Sequence, residues 1–154
     1  MQTTIKESQE AFLQSLQNEK LDSILKYAEV IITPAELLAL FTTSKELVPA
    51  PGAGYVLELV SAVLILDHGG TDYATAGNLT IATGTTGTAL SDTVGAGDFL
   101  QASADAIRCV QALSADVQLD ANESLVLACA TANPTAGDGP VRVKVVYRVH
   151  ATGL

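Results

Sequence analysis

The chain has 154 residues and a net charge of −9, with 16% charged residues against about 25% in an ordinary soluble domain. No stretch of about 18 residues lacks charges and turn formers, which excludes a spanning helix, and the many Val, Ile and Leu residues exclude a disordered chain. Between Lys45 and Arg108 no basic residue occurs, yet Glu46, Glu58, Asp67, Asp72, Asp92, Asp98 and Asp105 do. Such a surface repels phosphate backbones and anionic lipid, so neither nucleic acid nor membrane is expected as a partner.

Residues 4 to about 30 read as a helix. Lys6, Glu7, Glu10, Glu19, Lys20, Lys26 and Glu29 are good helix formers, and no Gly or Pro interrupts them. Ile5, Phe12, Leu13, Leu16, Leu21, Ile24, Leu25 and Ala28 recur at helical spacings without a strict heptad. This predicts one amphipathic arm, residues 1–30, ahead of a β domain over 31–154. Its stripe needs a cover, so Ile5, Phe12, Leu16, Leu21, Ile24 and Leu25 are the candidate partner-interface residues. The opening MQTTIKESQE has no basic stretch followed by an apolar one, so no secretory signal is expected and a reducing cytoplasm is.

Thr33, Pro34 and Glu36 stand at the cap, first-turn and capping-box positions of a second, short helix. After the turn cluster VPAPGAG (residues 48–54), an apolar run from Tyr55 to Leu66 predicts a strand that ends at His68-Gly69-Gly70. Short strands joined by small loops fit the Thr- and Gly-rich stretch from Asn78 to Asp98. Ile107 to Val110 looks like strand, while Gln101 to Ala106 fits a helical turn, so residues 99–117 stay open between the two. Ser124 to Ala130 predicts a further strand, and 133–140 a hairpin loop leading to the last. There Val141, Val143, Val145, Tyr147 and Val149 alternate with Arg142, Lys144, Val146, Arg148 and His150. That period of two gives one core face and one basic, exposed face. About eight short strands behind a helical arm make the fold mainly β, a sandwich of jelly-roll type.

Few residues suggest chemistry. DTVGAGD (residues 92–98) resembles the signature of ribokinase-type sugar kinases, which implies an anion-binding GAGD turn with Asp98 as base. Its surroundings lack the doubly wound sheet such kinases need, and no Lys or Arg lies within nine residues to neutralise phosphate. His68 and His150 are far apart in sequence, and no serine has a G-x-S-x-G setting. Asp67/Asp72 and Asp116/Asp120 read as solvated loop acids, with Ca²⁺ binding left open. Cys109 and Cys129 have no zinc-ligand spacing and read as small buried hydrophobes, with a bridge between them undecided. Glycan binding prefers aromatic platforms, and only Tyr55 and Tyr73 lie near loops. No enzyme activity and no cofactor are expected.

Four stretches carry a second resemblance: ITPAELLALFTT (32–43), LVPAPGAG (47–54), DHGGTDYA (67–74) and GDGPVRVKVVYRV (137–149). They resemble a family of tailed-bacteriophage and prophage virion proteins built on a jelly-roll, over residues 31 to 150. The resemblance implies a head decoration (cement) protein or a fibre module, usually trimeric, and it shares no catalytic motif. The expectation is a structural virion protein that assembles in the bacterial host cytoplasm. It would be a homotrimer bound to the major capsid protein or another virion protein. The alternative is a fibre or tail-tip module that binds a cell-surface glycan.

Overall fold

The first helix ends sooner than its residues predict. The computed structural model describes residues 2–154, without the side chains of residues 2–3 and 18–23. In it α1 covers Gln2–Ser23, and after Ile24 and Leu25 the chain is already a strand, β1 (Lys26–Ile32). Tyr27, Val30, Ile31 and Ile32 explain the change, because β-branched and aromatic side chains suit a pleated surface that is buried on one side. Alternation follows: Ala28, Val30 and Ile32 turn inward, while Tyr27, Glu29 and Ile31 are exposed. Pairing with a partner strand thus overrides the helix preference of Lys26, Ala28 and Glu29.

Next, α2 (Pro34–Leu37) starts as its residues predict. The Glu36 amide donates to Thr33 Oγ1, and the Thr33 amide donates to Glu36 Oε2 at 2.9 Å. The strands that follow are β2 (Lys45–Val48), β3 (Tyr55–Leu66), β4 (Leu79–Thr83), β5 (Ala106–Gln111), β6 (Leu125–Cys129) and β7 (Val141–Ala151). The chain is therefore mainly β, with seven strands in two antiparallel sheets behind a helix. One sheet has the order β1-β7-β3-β5 and the other β2-β6-β4.

Residues 133–140 do not form the predicted hairpin. β6 and β7 belong to different sheets, so this loop carries the chain across the sandwich. Residues 89–94 lie as an irregular edge along β4, with bridges Ala82–Ala89 and Leu79–Val94. Ser91 is buried in that edge, and its hydroxyl accepts from the Ile81 amide at 2.9 Å. In the region left open from the sequence, 106–111 is strand, and turns around Ala96 to Ala102 precede it.

The core lies between the sheets. Ile32, Leu57, Leu64, Leu66, Val141, Val143 and Val145 from one meet Leu79, Ile81, Leu125 and Leu127 from the other. Phe99 and Leu100 enter from a turn and are fully buried. Gly77 lets the chain pass close to β6, since a Cβ there would stand 1.4 Å from the Ala130 carbonyl oxygen.

Two outcomes follow from this packing. Phe99→Ala should cost about 3–5 kcal/mol in urea unfolding, the usual penalty for emptying a large aromatic site. Hydrogen bonds from Lys45 and Thr33 hold the Glu36 carboxyl down at about 2. A carboxyl held low in the folded state stabilises it above the unfolded value of about 4.5 and loses that effect as pH falls through about 2. Melting curves between pH 5 and pH 2 should therefore decline less steeply in Glu36→Gln than in wild type.

Candidate functional site

Beyond the end of β3 the loops 67–74 and 133–140 satisfy one another, whereas residues 52–54 before its start bond to Asn122 and Thr152. The Thr71 amide donates to Asp138 Oδ1 at 2.9 Å, and the Tyr73 hydroxyl donates to the Gly139 carbonyl at 2.6 Å. Ala74 and Thr135 exchange amide bonds at 2.7 and 2.8 Å. Asn133 Oδ1 accepts from the Phe41 and Thr42 amides, which ties α2's exit to the same loop. These residues build scaffold. Tyr73 is 2% exposed, so it is no surface platform for a glycan. Burial, with Asp138 nearby, raises its hydroxyl to about 12. Gly137, at φ +92°, leaves the space that the Tyr73 ring fills.

The other chemistry-bearing residues do not converge. His68 Nε2 lies 2.7 Å from Asp72 Oδ1, just beyond the end of β3. His150 Nε2 lies 2.7 Å from Glu58 Oε2, near the opposite end of that strand. Val56 faces His150, and Leu66 precedes His68 by two residues. The two histidines are thus separated by roughly ten strand residues, on the order of 30 Å. In the GAGD turn the Ala96 amide is already engaged by Asn78 Oδ1 at 3.1 Å. Arg108, ten residues on, reaches this turn, but it donates to the Asp98 carbonyl. Asp120 accepts from Gln118, and among the described residues no group of three or more His, Cys, Asp or Glu is arranged to hold a metal.

Both cysteines are free, Cys109 on β5 and Cys129 on β6. Cys129 is buried as expected, and burial raises its thiol against a hydrogen bond to the Gly77 carbonyl. Cys109 is exposed instead. It stands on the edge strand β5, in an outward position of the sheet.

What the chain offers is surface. Ile5, Phe12 and Leu16 form an exposed stripe on α1, with Phe12 64% exposed and spacings of seven and four. Ile24 and Leu25 are exposed too, but they lie past the helix end and off that stripe. The Leu21 side chain is outside the described residues.

The second surface is the outer face of the four-stranded sheet, and only its basic part is legible in the sequence. Its cations are not bare. Glu29 pairs with Arg142 at 3.4 Å and Lys144 at 3.9 Å, and Glu58 pairs with Arg148 at 3.3 Å and with His150. Burial works against the Glu58 charge, but hydrogen bonds from His150 and Arg148 outweigh it and hold the carboxyl below its ordinary value. Around these pairs Tyr27, Ile31 and Ile107 stand exposed. The alternation of Tyr27, Glu29 and Ile31 was the signal for this face, hidden because the same residues also read as helix.

No protein-family model and no curated protein sequence matches the chain. Among solved structures, a chain of the "Cyanophage Pam1 capsid asymmetric unit" is similar, with a TM-score of 0.45 and 18% identity. The match covers 81% of this chain and 83% of that one.

The Tyr73 contact has a measurable signature. A phenol raised in the folded state stabilises it below its unfolded value of about 10, and this is lost as pH climbs through about 12. Tyr73→Phe should cost about 1–2 kcal/mol in urea unfolding at pH 7, because the Gly139 carbonyl loses its partner. The variant's stability should also fall less than that of wild type between pH 10 and pH 12.

Proposed function

We propose that the chain is a structural virion protein, a capsid decoration or cement protein that binds the assembled phage head as a homotrimer. One observation carries this reading: the apolar stripe of α1 stands in solvent, and no described α1 side chain belongs to the core of the sandwich. An exposed apolar stripe on a helix marks a docking element. Many modest contacts, repeated over the copies on a shell, then add up to firm attachment. The four stretches that resemble virion proteins support the same reading, and two of them, 67–74 and 137–149, bind each other through Thr71, Tyr73, Asp138 and Gly139.

The strand orders support the jelly-roll form of this sandwich. First, seventh, third and fifth strands share one sheet, and second, sixth and fourth the other, with residues 89–94 beside β4 in place of an eighth strand. We also read the chain as a protein without enzymatic activity. Its histidines are separately engaged by Asp72 and Glu58, and its GAGD turn binds its own neighbours. The major capsid protein is the proposed partner, and the virion the proposed location.

The test uses heads from the phage or prophage that carries the gene. Added protein should bind purified heads to saturation and raise their melting temperature. A variant lacking residues 1–23, which leaves β1 whole, should lose the helical part of its circular dichroism, keep the β-sheet signal and a cooperative melt, and lose occupancy at least tenfold. Normal occupancy without the helix would remove α1 from the docking role, and no binding by the full chain would overturn the decoration reading.

A further inference from the structure

The hydrogen bonds across the four-stranded sheet decide which backbone groups of β1 are already engaged. Where β3 ends, the Asp67 amide donates to the Pro140 carbonyl at 3.1 Å. Bonding direction alternates along an antiparallel pair. Arg142 and Lys144 therefore turn their backbone groups toward β3, while Val141, Val143 and Val145 turn theirs toward β1. Those three valines stand opposite Ile32, Val30 and Ala28. Tyr27, Glu29 and Ile31 are left with amides and carbonyls that point away from the sheet. Among the described residues none of these groups has another partner.

The open edge is also regular and bare. β1 keeps an unbroken register with β7 and contains no Pro, Gly or bulge, the devices that keep other strands off an exposed edge. Tyr27 is 74% exposed and Ile31 54%. α1 touches β7 and does not run along β1, and its residues 4–17 are all exposed.

We propose that β1 of one copy pairs antiparallel with β1 of a second copy, about a two-fold axis at Glu29, which joins their two four-stranded sheets into one. The spacing selects this partner. Positions 27, 29 and 31 are symmetric about 29, so another β1 offers a free donor and acceptor for each one left open. Every facing pair then exchanges both of its N–H···O bonds. Tyr27 lies opposite Ile31 of the second copy, an aromatic and β-branched pair that stabilises a sheet and takes both side chains out of water. Ala28 faces Val30 on the inner side. The two Glu29 carboxylates also face each other, which alone is unfavourable. Each, however, already holds Arg142 at 3.4 Å and Lys144 at 3.9 Å. Asp67 and Asp105 lie beside Ile31 and Arg142. Lys26, Arg142 and Lys144 thus match Glu29, Asp67 and Asp105 in number, and the backbone ladder, not charge, carries the contact. A two-fold contact joins one copy to one other. It goes beyond the decoration reading by linking copies that belong to neighbouring trimers.

Single cysteines read the register. Each variant is full length and carries Cys109→Ser, because Cys109 is exposed and Cys129 is buried. The proteins are oxidised mildly at micromolar concentration, without phage heads, and run on a non-reducing denaturing gel. Glu29→Cys should bridge to a band of two chain masses, since facing Cα atoms stand about 5.5 Å apart and a disulfide needs them within about 7 Å. Tyr27→Cys alone should bridge at least tenfold more slowly, because its two copies are offset by about 14 Å along the strand. Tyr27→Cys mixed with Ile31→Cys should restore the fast rate. In the unsubstituted protein the amides of Tyr27, Glu29 and Ile31 should exchange with solvent slowly when concentrated and faster on dilution. No bridge at Glu29→Cys, equal rates at Glu29→Cys and Tyr27→Cys, or unprotected amides at every concentration overturns the proposal. All of this is read without heads, so failure here leaves the decoration reading standing, and failure to bind heads leaves this contact standing.

Discussion

β7 pairs on both sides, and the alternation along its eleven residues fixes where its neighbours lie. Val141, Val143, Val145 and Val149 are buried, while Arg142 and Lys144 are exposed. A slip of one residue against β1 or β3 would turn these cations into the core and the valines into water. Burying an unpaired charge costs several kcal/mol, so the register is strongly specified. The same register sets Glu29 beside Arg142 and Lys144, and Glu58 beside Arg148. β1 in turn decides where α1 leaves the sandwich, and β3 holds β5 on its far side.

The loops at one end depend on a different kind of constraint. Asn133, Asp138 and Tyr73 each bind backbone groups more than sixty residues away in sequence. Carbonyl and amide groups at a sheet end have no ladder partners, and these side chains supply them. The exposed Ile5, Phe12, Leu16, Tyr27, Ile31 and Ile107 lie instead on the helix and on the outer sheet face, which are built from regular elements. Positions on such elements are set more sharply than positions on loops.

Local signals were legible in the sequence, and non-local ones were not. The capping box of Thr33 and Glu36 involves neighbours three residues apart, so its residues alone determine it. β3 and β7 carry long, unambiguous patterns and appear where the patterns lie. Residues 26–30 satisfied both helix and strand preferences, and pairing with β7 decided between them. The loop 133–140 had hairpin composition, yet the partners of β6 are the distant β2 and β4. Of the six proposed interface residues, Ile5, Phe12 and Leu16 share the helix stripe, while Ile24 and Leu25 lie beyond it. Tyr73 lay in a polar loop, and nothing nearby in sequence announced that Gly137 and Gly139 would enclose it.

The rims of the two sheets have a consequence for a chain so short of charge. β2 has four residues and a register shift between Glu46 and Val48, β5 has six, and β4 is screened by the irregular residues 89–94, where Ser91 takes the place of a backbone acceptor. Long, flat, hydrophobic edges template the addition of foreign strands, whereas short, bent or covered ones do not. Three of the four sheet edges are thus poor templates for a foreign strand, and β1, seven residues in unbroken register with β7, is the one margin left regular.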